Sequence, residues 1–196
     1  PWPVQRPLAH AEKGNTVTTH QQTSTLSGID AEGLERLSCN AKTDPSTGRK
    51  TLRSRTVCEA GFRNLTYVRD LPPVLVGEPP ALLGDDAAPN PSEMALAALG
   101  SCISVGLLAN ATHLGVTLTR IEVALEGDID ISAVWGVGDT PDDKVPGMTA
   151  VRAAVTLGGD ADEATLARIH DNAMRWSPVV NTFTRNVAVT STLEIG

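Results

Sequence analysis

Among the side chains able to do chemistry, Cys102 has the most unusual setting: the run from Met94 to Ala111 around it carries no charge. A thiol attacks as its thiolate, and burial among apolar groups works against ionisation. A reactive Cys102 therefore requires a positive group to approach from elsewhere, and Arg53, Arg55, Arg63 and Arg69 are the candidates. Without such a group the thiol is a small inert hydrophobe. Glu93 precedes Cys102 by nine residues, half a turn away and about 13 Å along a helix axis. It can serve that thiol only through an arginine or from a second copy of the chain; alternatively it is a capping acid. Ser177 has no histidine or acid beside it in sequence, so a helix-end hydroxyl is favoured over an activated nucleophile. His113 shares the face of Cys102 but lies about 16 Å along it. His170 falls on an amphipathic segment, and His10 and His20 fall in a polar start. Cys39, Cys58 and Cys102 have neither a disulfide framework nor a zinc-ligand spacing, so no metal and no cofactor are expected.

The element that must position Cys102 is a helix. Asn90, Pro91 and Glu93 form a helix-start signature and Gly115 a stop, enclosing about 33 Å of helix. Apolar all round, it is predicted to be buried on every side, with Ala, Gly and Ser letting neighbouring backbones come close. A membrane span is the rival reading. Ser101, Ser104, Asn110 and Thr112, and the absence of closely flanking Lys or Arg, favour burial in a soluble core.

Before this helix, Asp30 opens a short helix with Ile29, Leu34, Leu37 and Ala41 on one side. Extended runs at Thr51–Glu59 and Phe62–Asp70 suggest a hairpin, and the proline-rich stretch Leu71–Pro89 a surface loop. After it, Val116 and Leu118 alternate, Arg120 breaks the pattern, and Ile121, Val123 and Leu125 resume one place later, which predicts a bulge or a strand start near Thr119. A turn-rich connection, Ser132–Pro146, leads to a strand at Thr149–Leu157. Then comes an amphipathic helix at Ala161–Trp176, capped by Asp160 with Glu163 completing the box. SPVVNTFTRN reads as a turn and Val187–Ile195 as a closing strand. Paired strands separated by two unlike helices define an α+β class with antiparallel pairing.

The chain has 196 residues, a formal charge of −7 and 3% aromatics. This composition suits one domain and offers no footprint for nucleic acid. The polar residues 1–27 read as an arm, without a secretory pattern. The odd cysteine count fits a reducing cytoplasm.

Residues 28–196 resemble the osmotically induced protein C and organic hydroperoxide resistance (OsmC/Ohr) superfamily. The resemblance rests on Gly84-Asp85-Asp86, Asn90-Pro91-Ser92-Glu93, Ala97-Ala98-Leu99-Gly100-Ser101-Cys102, Gly115-Val116, Glu126-Gly127-Asp128, Pro146-Gly147-Met148 and Ser177-Pro178-Val179, in the family's order. It implies antiparallel sheets around a long buried central helix in an intertwined homodimer. It also implies thiol-dependent reduction of organic hydroperoxides in oxidative stress defence, as in other peroxidases of the peroxiredoxin kind. By resemblance Cys102 is the attacking cysteine, Glu93 approximately the family's glutamate, and Arg63 the preferred partner arginine. The second, resolving cysteine is replaced by Ser177. The expectation is then a one-cysteine cycle rescued by an external thiol, or by Cys39 or Cys58 if either is near. Ser177, Trp135, Trp176, Met148 and Phe183 would line an apolar substrate pocket at the dimer interface; as core residues the last four are equally well explained. The alternative is a non-peroxidase relative that binds or transforms a small apolar molecule in the same cavity.

Overall fold

The computed structural model describes residues 25–26, 28–137 and 141–196. Its elements run α1 (Ala31–Thr43), β1 (Arg55–Ala60), β2 (Arg63–Tyr67), β3 (Val74–Val76), α2 (Pro91–His113), β4 (Leu118–Asp130), β5 (Gly147–Gly159), α3 (Glu163–Trp176) and α4 (Pro178–Thr184). β1-β2-β3 form one antiparallel sheet and β4-β5 a second. The class is α+β, as the sequence predicts. The expected arm, with His10 and His20, lies outside the described residues except for Thr25 and Leu26, as do residues 138–140 of the Ser132–Pro146 connection. Leu26 donates its N–H to the Leu118 carbonyl at 2.8 Å.

α2 starts where its cap demands. Asn90 Oδ1 accepts the Glu93 N–H, and the Glu93 carboxylate accepts the Asn90 N–H, both at 2.8 Å. One stripe of the helix, Leu99, Ile103, Leu107 and Ala111 at four-residue spacing, makes the core with Leu118, Ile169 and Ala173. Ile121, Val123 and Leu125 of β4 and Val151, Val155 and Leu157 of β5 pack against it. The phase shift in β4 is real: Leu118 pairs with Gly159 and Arg120 with Gly158, so Thr119 is the bulged residue. The extra residue lets Leu118 and Ile121 both face the core.

Several expectations are corrected. Among the described residues α2 is fully buried on one face only, because β4, α3, α4 and α1 pack against part of its circumference and leave the rest open; Val105 is 69% exposed. Beside it an open groove of about 580 Å³ is lined by Leu96, Ala97, Gly100, Ser101, Ser104, Val105, Val123 and Leu125. The Leu71–Pro89 loop contains β3, a short edge strand bonded to β2 between its prolines. SPVVNTFT is the helix α4, with Ser177 as cap and Pro178 at its first position. Among the described residues Val187–Ile195 has no strand partner, and it is exposed. Asp162, not Asp160, caps α3 by accepting the Thr165 N–H; Asp160 accepts the Thr117 N–H instead.

Candidate functional site

Two helices bring the site together. A Cβ added at Gly106 would stand 3.2 Å from Ala173 Cβ and 3.4 Å from its Cα, so α2 and α3 touch backbone to backbone there. One turn away on both helices, Cys102 meets Ser177. Position 106 faces 173 and position 102 faces 177, so the helices run antiparallel. Small residues at the crossing set their separation, and that separation places a hydroxyl against the thiol.

Ser177 is 3% exposed and ends α3 while capping α4. Its hydroxyl donates to Cys102 Sγ at 3.1 Å, and its Oγ accepts the Val180 N–H at 3.1 Å. Its own N–H donates to the Ala173 carbonyl at 3.0 Å. Its carbonyl accepts from Asn181, from the backbone N–H at 3.1 Å and from Nδ2 at 2.8 Å. Cys102 is half-buried and carries a free thiol. Among the described residues Ser177 is its one hydrogen-bond partner. The position that resemblance assigns to a resolving cysteine therefore does adjoin Cys102, but with an alcohol in place of the thiol.

The other residues singled out from the sequence lie apart in a single chain. Arg63 pairs with Asp85 at 3.6 Å. Arg55 stacks on Tyr67, 4.6 Å from the ring centre. Both belong to the three-stranded sheet, which is not among the elements packed on α2. Glu93 is held in the capping box. Nearby, Glu78 is buried, and its Oε2 lacks a partner among the described residues. Its burial, and then the charge of Glu93, raise its carboxyl pKa above the usual range. Trp135 packs its ring on Phe62, with centroids 5.2 Å apart. Trp176 is exposed, with the Arg175 guanidinium 5.2 Å above its ring. Met148 and Leu96 flank Gly127, and Phe183 sits on α4. Cys39 and Cys58 are exposed. No group of three or more His, Cys, Asp or Glu among the described residues could hold a metal ion.

Other motif residues have structural reasons. A Cβ at Gly84 would lie 1.8 Å from the Glu78 carbonyl oxygen, so only glycine fits there. Glu126 and Asp128 both bind Arg152 across the ribbon, Asp128 through two bonds of 2.6 and 2.9 Å.

With this fold and this thiol in place, the comparisons settle the class. The family profile described as OsmC-like protein matches residues 84–192, and the chain belongs to that family. No curated protein matches it. Among solved structures it is similar to an OsmC-like protein from Mycoplasma pneumoniae, with 13% identity and a TM-score of 0.58, covering 69% of this chain and 88% of that one. It is also similar to an OsmC-like protein of unknown function from Vibrio cholerae, with 16% identity and a TM-score of 0.54, covering 68% and 94%. A third is an organic hydroperoxide resistance protein OsmC from Legionella pneumophila, with 16% identity and a TM-score of 0.52, covering 68% and 89%. These likenesses establish the fold. α2, although long and apolar enough to cross a bilayer, serves that fold as its core helix.

Proposed function

We propose that the protein reduces organic hydroperoxides by a one-cysteine cycle at Cys102. The observation that carries this reading is the half-buried thiol at the middle of α2 with a hydroxyl aimed at its sulfur. The thiolate attacks the distal peroxide oxygen. The O–O bond breaks, the alcohol leaves with a proton, and Cys102 becomes a sulfenic acid. One external thiol then displaces water to give a mixed disulfide, and a second releases Cys102 and a disulfide of the reductant. An alcohol cannot perform that exchange, so Ser177 leaves the reductant outside the chain. A reducing cytoplasm supplies such thiols and suits three unpaired cysteines.

A homodimer belongs to the same proposal. The groove beside α2 and the unpaired, alternating Val187–Ile195 segment are surfaces that a second copy would cover. On this reading Arg63 and Glu93 act across the interface, and Trp135, Met148, Trp176 and Phe183 supply apolar walls for the substrate. Light scattering is expected to give twice the chain mass; a monomer at micromolar concentration would remove this part.

The function is tested with one equivalent of an alkyl hydroperoxide, a sulfenic-acid trap and intact mass. Cys102 is expected to be oxidised roughly tenfold faster than the exposed Cys39 and Cys58, and Cys102→Ser to remove that fast phase. Equal rates at all three cysteines would overturn the proposal. The groove and the serine at position 177 favour a second reading, a binder of small apolar molecules, in which Cys102→Ser keeps all ligand binding and cellular effect.

A further inference from the structure

We infer that Ser177 is a positioning residue that favours the thiolate of Cys102, adding from within the chain a neutral hydroxyl donor to whatever a cation supplies across the interface. The inference rests on the reading of Cys102 as the reacting thiol and adds how its ionisation is achieved. A serine hydroxyl has one proton to give and two lone pairs. At Ser177 one lone pair is taken by the Val180 N–H, which orients the oxygen, and the proton points to Cys102 Sγ. The backbone of Ser177 is fixed on both sides by Ala173 and Asn181. With 3% exposure, no bulk water competes for the proton.

A thiolate accepts a hydrogen bond far more strongly than a neutral thiol does. A donor that is fixed in advance therefore stabilises the ionised form selectively and opposes the effect of burial. The Val180 N–H polarises the same hydroxyl and strengthens its bond to sulfur. Among the described residues no guanidinium is a hydrogen-bond partner of the Cys102 thiol, and Ser177 is the donor it has there. The serine thus has a defined chemical task, beyond standing where a second thiol is absent.

The test follows the rate of iodoacetamide alkylation at Cys102 against pH, in full-length protein with Cys39 and Cys58 replaced by Ser. Ser177→Ala is expected to move the midpoint of the profile upward by about one pH unit and to slow alkylation near neutrality by up to about tenfold. Ser177→Thr, which keeps the hydroxyl, restores the original midpoint. Ser177→Val, which matches threonine in shape, behaves as alanine does, so the threonine–valine pair decides the matter should the alanine protein fold poorly. Superimposable profiles for threonine and valine would overturn the inference, whatever their stability. Because no peroxide enters this assay, a shifted midpoint without hydroperoxide consumption would retain the role of Ser177 and remove only the peroxidase reading.

Discussion

A Ser177→Cys protein treated with one equivalent of alkyl hydroperoxide is expected to lose the mass of two hydrogens and two titratable thiols, through a disulfide between positions 102 and 177. The native sequence has three cysteines, so the variant begins with four thiols and finishes with Cys39 and Cys58 free. The geometry supports a high yield. Oγ and Sγ are 3.1 Å apart, and a disulfide of about 2.0 Å requires an approach of roughly 1 Å, part of which the longer C–S bond supplies. The reaction balances within the chain: the peroxide oxidises Cys102 to the sulfenic acid, and the new thiol displaces water from it. The variant gives up the Val180 N–H acceptor, so some loosening of α4 accompanies the gain. Peptide mapping without reductant locates the bond. Persistence of three thiols, while a trap captures a sulfenic acid at Cys102, would mean that α2 and the start of α4 do not adjoin in solution.

The second large effect is expected at Gly106. Replacing a helical glycine usually helps, by up to about 1 kcal/mol for alanine. Here the added atoms meet Ala173 at 3.2 to 3.6 Å, including its backbone, and backbone cannot yield as a side chain does. Gly106→Val is therefore expected to be a net loss of about 1–3 kcal/mol, the range for overpacking a core, read as a lower urea midpoint. The same displacement moves Ser177 away from Cys102, so Gly106→Val added to Ser177→Cys is expected to lower the disulfide yield. Stability and yield that both remained unchanged would show that this crossing does not set the site.

Much of the helix bearing Cys102 was legible because its signals are local. The Asn90–Glu93 box and the uncharged run fix its start and its character, and the slip in alternation at Arg120 marks the Thr119 bulge. α4 reads as a turn in the sequence because the segment is short and its β-branched Val179, Val180, Thr182 and Thr184 are weak helix formers, although Ser177-Pro178 is a sound helix start. The tail misled for the opposite reason. Val187, Val189, Leu193 and Ile195 alternate with polar or small neighbours as a strand would, yet a strand needs an edge to bond, and among the described residues this segment is bonded to none. The meeting of Cys102 and Ser177 spans 75 positions, and only family resemblance pointed to it. Gly106 was legible only as one of several small residues, since what it permits depends on Ala173 across the crossing. Arg63 illustrates a limit of resemblance: within the chain its guanidinium pairs with Asp85.

Under the proposed function, an alcohol at position 177 also decides who controls turnover. On the proposed cycle, with a hydroxyl rather than a thiol beside Cys102, each turnover would wait for a thiol to arrive by diffusion, so throughput would rise in proportion to the surrounding thiol pool until access to Cys102 saturates. A cell short of reductant would find this protein stalled in its oxidised form, and the stalled fraction would report reducing power as much as oxidant load.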